Sequence, residues 1–100
     1  MFKITNGKGF HITFKNGYTV SVQLGYGNYC DNKSYDELQS GETYSDAEIM
    51  AGKTGCNNAE IAVWGPDKEM IEFPGWGDTV KGYCSPDEVL TYLNWASNQK

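Results

Sequence analysis

Apolar and polar residues alternate along the first quarter of the chain. Two alternating runs within residues 10–24 flank the pair Asn16-Gly17, and this alternation is typical of the strands of a half-buried β-hairpin. The apolar positions of the two runs are Phe10, Ile12, Phe14, Tyr18, Val20, Val22 and Leu24. Phe2 and Ile4 continue the alternation before a second, Gly-rich turn signal. The sequence therefore predicts a three-stranded meander with one apolar face.

The register of the hairpin depends on the length of its loop. A two-residue turn would pair Phe14 with Thr19 and set every apolar side chain opposite a polar one. A three-residue loop at residues 15–17 pairs Phe14 with Tyr18 and collects the apolar side chains on one face. Gly17 then takes the left-handed conformation, in which a Cβ is costly. We therefore predict the three-residue loop.

Residues 59–84 carry a second set of strand signals. Residues 59–64 predict a strand with Ile61 and Val63 facing the core. After a Gly-Pro-Asp turn, residues 69–73 are predicted to return and complete a second hairpin. Residues 79–83 predict one more short strand.

Residues 85–97 predict the C-terminal helix. Ser85 suits the N-cap, Pro86 the first helical position and Glu88 the third position of a capping box. Its apolar stripe consists of Val89, Leu90, Tyr92, Leu93, Trp95 and Ala96. A helix on the apolar face of a sheet gives a single two-layer α+β domain, so we expect a twisted antiparallel sheet of five to six short strands with this helix on one face.

Residues 25–58 break the alternation and are interpreted as an acidic, aromatic-rich insertion. Gly, Asn, Asp and Ser are frequent here, which is typical of turns. A structureless loop of this length is uncommon in a compact domain. Short helices are therefore predicted at residues 35–39 and 45–50, the first from the capping box that Ser34 opens.

Composition narrows the classes of partner. The 100 residues carry a net charge of -5 and include no arginine, which argues against direct nucleic-acid binding. An acidic surface suits a basic partner protein, or serves only solubility. No apolar run approaches the roughly 20 residues of a membrane span, and the N-terminus has no signal-peptide pattern. We therefore expect a cytoplasmic protein without a membrane partner.

The residues that could carry catalysis form no recognisable motif. The three cysteines, Cys30, Cys56 and Cys84, lack the spacing of a zinc site, and His11 is the only histidine. A disulfide between Cys30 and Cys56 is compatible with the sequence, but thiols stay reduced in the cytoplasm. A cysteine–histidine pair is spatial and not sequential, so a thiol enzyme stays an alternative. We expect no enzyme activity and no cofactor.

The aromatic and acidic residues in turn-rich segments are the candidate binding site. Tyrosine and tryptophan give large contact areas at low entropic cost. The candidate residues are Tyr26, Tyr29, Asp31, Tyr35, Asp36, Glu37, Tyr44, Trp64, Trp76 and Asp78. The alternative is that these rings form a second small core beneath the insertion.

The sequences FKITNGKGFHITFKNGYTVSVQ, AEIAVWGP and SPDEVLTYLNW, which flank the insertion, carry a resemblance. Together they resemble small proteins encoded in phage and prophage genomes. The resemblance implies a small protein made in the bacterial cytoplasm and supplies no catalytic motif. Compact acidic proteins in that setting often inhibit host defences by binding, so the setting favours a binding function without supplying a mechanism.

We therefore expect a non-enzymatic binding protein that blocks a host component through its acidic, aromatic surface. In one mode, which the acidic runs favour, it covers a basic nucleic-acid groove on a host protein. In the other it sequesters a small nucleotide signal between aromatic rings, which requires a dimer or higher oligomer, and the lack of arginine weakens this mode. A small cysteine- or carboxylate-dependent enzyme and a structural accessory subunit that oligomerises through its aromatics stay open as alternatives.

Overall fold

Five strands and a C-terminal helix form two layers. A computed structural model of the chain describes residues 1–5, 8–25, 27–31, 45–47 and 56–100. The strands in this part of the chain are β1 (Phe2–Ile4), β2 (Gly9–Thr13), β3 (Thr19–Gln23), β4 (Ala59–Trp64) and β5 (Val80–Cys84), and the helix is Pro86–Ser97. The strands pair antiparallel in the order β1-β2-β3-β4-β5, and the helix packs on β3, β4 and β5. The predicted two-layer α+β fold is confirmed.

The N-terminal meander has the register that the three-residue loop predicts. Phe10 lies opposite Val22 in the β2–β3 pair. At the loop, the N–H of Phe14 donates to the carbonyl of Tyr18 at 2.9 Å. Gly17 has a φ of +86°, a left-handed conformation that favours glycine. All the large apolar side chains of the hairpin therefore share one face, the side of the sheet on which the helix lies.

Asn16, at the tip of this loop, joins the hairpin to the end of the helix. Its Oδ1 accepts the N–H of Tyr18 at 3.0 Å. Its Nδ2 donates to the carbonyl oxygens of Ala96 at 2.7 Å and Gln99 at 2.8 Å. The last carbonyls of a helix lack partners within the helix, so one side chain satisfies both the loop and the helix C-terminus.

The core lies between the helix and the middle of the sheet. Val20, Ile61 and Val63 are fully buried there, and Ala96 of the helix packs on them. Ile61 and Val63 face inward as predicted. Within the described residues, no helix combines the length and the apolar composition that crossing a membrane requires.

The predicted return strand at residues 69–73 is only a single bridge in the structure. Met70 pairs with Trp64, and the N–H of Ile71 donates to the carbonyl of Val63 at 2.9 Å. The chain then leaves the sheet at Pro74, which has no N–H for a ladder. The edge of β4 pairs instead with β5, so the described sheet has five strands and β5 supplies the pairing expected of the return strand.

The helix begins at the predicted capping box. The N–H of Glu88 donates to Ser85 Oγ at 3.2 Å, and the N–H of Ser85 donates to Glu88 Oε1 at 3.1 Å. The other carboxylate oxygen of Glu88 lies 3.3 Å from Lys81 Nζ. The hydrogen bond from the Ser85 backbone, followed by that from Lys81, lowers the pKa of Glu88 from its ordinary value of 4.5.

Glu88→Gln is expected to make the domain less sensitive to acid. A carboxylate whose pKa is lowered by folding stabilises the folded state above its unfolded pKa, and this contribution disappears as the pH falls through the folded pKa. The wild type should therefore be more stable than Glu88→Gln at neutral pH, and the difference should shrink below about pH 4.5. Urea unfolding at a series of pH values measures this. Lys81→Gln removes the ion pair but leaves the hydrogen bond from the Ser85 backbone, so part of the pH-dependent stabilisation by Glu88 should remain in that variant. A stability difference between the wild type and Glu88→Gln that does not depend on pH would contradict the expectation.

Candidate functional site

The C-terminal helix leaves part of the sheet uncovered. It packs on β3, β4 and β5 but not on β1 or β2. Phe2 and Ile4 of β1 point to the helix side because they pair with Ile12 and Phe10 of β2, yet they are 75% and 79% exposed. Phe10 and Ile12 are partly buried against the core, so we call the helix-side residues of β1, Phe2 and Ile4, the uncovered face.

An apolar groove lies beside the uncovered face, between the helix and the sheet. Its volume is about 260 Å³. Its main walls are Phe10, Val22 and Leu24 on the sheet and Val89, Leu90 and Leu93 on the helix. Phe10 also meets the ring of Phe2 edge-on, with 6.4 Å between ring centroids, so the groove and the uncovered face are continuous.

The size of the groove limits what it can hold. Pockets for small molecules typically span roughly 300–1,000 Å³, whereas an apolar cavity of about 150 Å³ holds a benzene ring. The groove therefore fits one or two apolar side chains better than a nucleotide. Leu90 stands at its rim and is 53% exposed, although it belongs to the apolar stripe of the helix.

Polar and acidic groups stand at one end of the groove, where Cys56 and Asn58 line it. Asn58 Oδ1 accepts the N–H of Asp31 at 2.8 Å. Asp31 is exposed, so this predicted binding residue does lie beside the groove. Asp87, also exposed, follows Pro86 in the first turn of the helix at the same end. The apolar groove thus has an acidic end.

Tyr29 lies against β5. Its N–H donates to the carboxylate of Glu60 at 3.0 Å, and its carbonyl accepts the N–H of Tyr83 at 2.8 Å. A Cβ on Gly82 would come within 2.6 Å of the Cβ of Tyr29, so glycine leaves the space that this segment needs. The side chain of Tyr29 is exposed, which leaves it accessible to a partner.

Trp64 is on the face of the sheet away from the helix, as predicted. It alternates with the buried Val63, and its ring meets that of His11 edge-on, with 5.0 Å between centroids. Burial, and then the nearby charge of Lys3, lower the pKa of His11. Trp64 therefore packs on a neutral imidazole at neutral pH. Its side chain is half-buried and is not fully exposed to a partner.

Trp76 packs on the helix side, within an aromatic cluster of Tyr18, Phe73, Trp76, Tyr92 and Trp95. Its indole N–H donates to the hydroxyl of Tyr92 at 2.9 Å. Phe73 is the centre of the cluster, with ring centroids 4.8 Å from Trp76, 4.9 Å from Tyr92 and 4.8 Å from Trp95. Trp76 is therefore partly buried in an aromatic cluster against the helix, whereas most of the insertion, beneath which the alternative core was predicted, lies outside the described residues.

The candidate binding residues that the structure describes do not meet on one surface. Asp78 accepts hydrogen bonds from the backbone and hydroxyl of Thr79, which is a local turn contact. Asp31 lies beside the groove, whereas Trp64 and Trp76 lie on opposite faces of the sheet. The other candidates, which lie outside the described residues, are Tyr26, Tyr35, Asp36, Glu37 and Tyr44.

No protein-family model, curated protein or solved structure matches this chain. A fold alone does not reveal a function, so the function has to be inferred from the site itself. Within the described ranges, no three His, Cys, Asp or Glu side chains come together as a metal site. None of the three cysteines forms a disulfide, and burial raises the pKa of the Cys84 thiol, which is the opposite of what activates a thiol nucleophile.

The groove and the uncovered face could not be predicted from the positions of the aromatic residues, but the sequence contains another signal for them. A helix is about 10 Å across and strands lie about 4.8 Å apart, so one helix covers two to three strands. A sheet of five strands with a single helix therefore leaves apolar positions uncovered. The alternation at Phe2 and Ile4 identifies the strand on which this happens.

Proposed function

We propose that this chain is a non-enzymatic binding protein whose partner is a basic protein. The observation that carries the proposal is the apolar groove, which is open at the exposed side chain of Leu90 and continuous with the uncovered face. Soluble proteins keep few apolar patches of this kind, and those that persist often mark sites of interaction. An apolar side chain of the partner fills the groove.

The charge of the chain supports a basic partner. The net charge is -5 without a single arginine, and Asp31 and Asp87 stand exposed at one end of the groove. Complementary charge speeds association and suppresses wrong partners, while apolar contacts at the centre supply most of the affinity. The sequence resembles small proteins encoded in phage genomes, and in that setting the partner is a component of the host.

The groove gives little support to sequestration of a nucleotide. It is smaller than a typical ligand pocket, at about 260 Å³. Its walls are apolar, and the chain has no arginine to hold a phosphate. Protein binding is therefore the function that we favour.

Two matched variants test the proposal. Leu90→Asp places a charge at the rim of the groove, and Thr91→Asp places the same charge one position along on the exposed side of the helix. Both sites are exposed, so both variants should fold. Affinity isolation from bacterial lysate should retain a basic protein with the wild type and with Thr91→Asp, and lose it with Leu90→Asp.

The same isolation in high salt adds a second criterion. Salt weakens contacts between exposed charges, so a basic partner should be released more readily as salt rises. If the three proteins retain the same partners, or if none retains a basic protein, the groove is not the binding site and the proposal fails.

A further inference from the structure

In the part of the chain that the structure describes, β1 is an edge strand whose outer side carries unpaired backbone groups in a regular arrangement. Met1 and Thr13 exchange two hydrogen bonds of 2.8 Å, and the N–H of Thr5 donates to the carbonyl of Gly9 at 3.1 Å. Antiparallel ladders alternate hydrogen-bonded and non-hydrogen-bonded pairs. Phe2 and Ile4 are therefore the non-hydrogen-bonded positions, and their N–H and C=O groups point away from β2 to the open edge.

These groups are complementary to a second copy of themselves. Two β1 strands placed antiparallel about a two-fold axis through Lys3 set Phe2 of one copy opposite Ile4 of the other. Each such pair exchanges two hydrogen bonds, so the two pairs satisfy all the outward groups of both positions. We propose that two copies of this chain dimerise through β1, joining their sheets edge to edge. An isologous contact of this kind closes and does not propagate.

In the dimer, the uncovered faces of the two copies lie next to each other. A two-fold axis perpendicular to the sheet keeps both helices on the same side. Phe2 and Ile4 of the two copies then lie side by side, and the uncovered faces join into one apolar floor between the two helices. Phe2 and Ile4 are 75% and 79% exposed in the single chain, and an exposed edge strand with apolar side chains is a ready template for pairing.

The area and the charge of the contact make the dimer weak. An aromatic side chain buries roughly 150–250 Å² when it is covered completely. Because each copy contributes only Phe2 and Ile4 as large apolar side chains, the contact buries well under the roughly 800 Å² per partner of a standard interface. On the other face of the strand, Lys3 is exposed and would stand opposite Lys3 of the second copy. Like charges directly opposite are destabilising, so the dimer should strengthen when salt screens them.

Charge reversal at the two-fold axis is the decisive experiment. Lys3→Glu alone keeps a like-charge pair, but a mixture with the wild type creates an opposite-charge pair. Sedimentation equilibrium of the mixture, with one protein labelled, should show a mixed dimer about tenfold tighter than either dimer of identical copies. The wild type alone should dimerise more at higher concentration and at higher salt.

Ile4→Pro locates the interface. Its N–H makes no bond to β2, so proline is tolerated there as at other sheet edges, but it removes the outward donor. The variant should stay folded, by circular dichroism, and sediment as a monomer, while Ile4→Ala keeps part of the association. A mass that does not change up to millimolar concentration, a mixture no tighter than its components, or a dimer that survives in Ile4→Pro would each overturn the proposal.

Discussion

Replacing Asn16 with aspartate is expected to lower the free energy of unfolding by about 3 kcal/mol. The Asn16 amide donates hydrogen bonds of 2.7 and 2.8 Å to the carbonyls of Ala96 and Gln99. A carboxylate has the same shape but no donor, so both carbonyl oxygens lose a short hydrogen bond, and the carbonyl of Ala96 keeps the longer one of 3.4 Å from the N–H of Gln99. It also places a negative charge at the negative end of the helix dipole.

Asn94→Asp is the matched control. It introduces the same charge in the last turn of the helix, but Asn94 is exposed, and its loss of stability should stay within about 0.5 kcal/mol. Urea unfolding followed by circular dichroism compares the two variants. If Asn16→Asp were no less stable than Asn94→Asp, the link between hairpin and helix would contribute nothing to stability.

Those parts of the fold that depend on neighbours in the chain could be predicted from the sequence. The loop at Gly17 follows from requiring one apolar face, and the helix start follows from Ser85, Pro86 and Glu88, which lie within four positions. The pairing of residues 69–73 could not be predicted in this way, because their pattern suits a strand but β5 pairs with the same edge of β4. Competition between distant segments is not visible in a local pattern.

The candidate site likewise has parts that the local sequence predicts and parts that depend on distant segments. Strand alternation is enough to place Trp64 on the face away from the helix, because Val63 must face the core. Trp76 follows Pro74 in a loop whose direction no periodicity sets, and the structure turns it toward Tyr92. The groove depends on where the helix lies across the sheet, which is a property of the assembled domain.

Replacing Phe73 with alanine is expected to lower the free energy of unfolding by about 3 kcal/mol. Its ring lies within 5 Å, centroid to centroid, of Trp76, Tyr92 and Trp95. Removing it leaves a void that the three large rings, two of which are joined by the Trp76–Tyr92 hydrogen bond, fill only in part. Because the segment around residue 73 has only a single bridge to the sheet, these ring contacts are what hold it against the helix.

Phe2→Ala is the matched control for this loss, since it deletes the same side chain where it is 75% exposed and, among the described rings, contacts that of Phe10. At concentrations too low for association, it should cost less than about 0.5 kcal/mol. Tryptophan fluorescence provides a second measurement, because Phe73→Ala should expose Trp76 and Trp95 to water while Trp64 stays packed on His11. Equal losses for the two variants would mean that the cluster contributes no more than a surface ring, and the segment at residue 73 would then have to be held by its backbone.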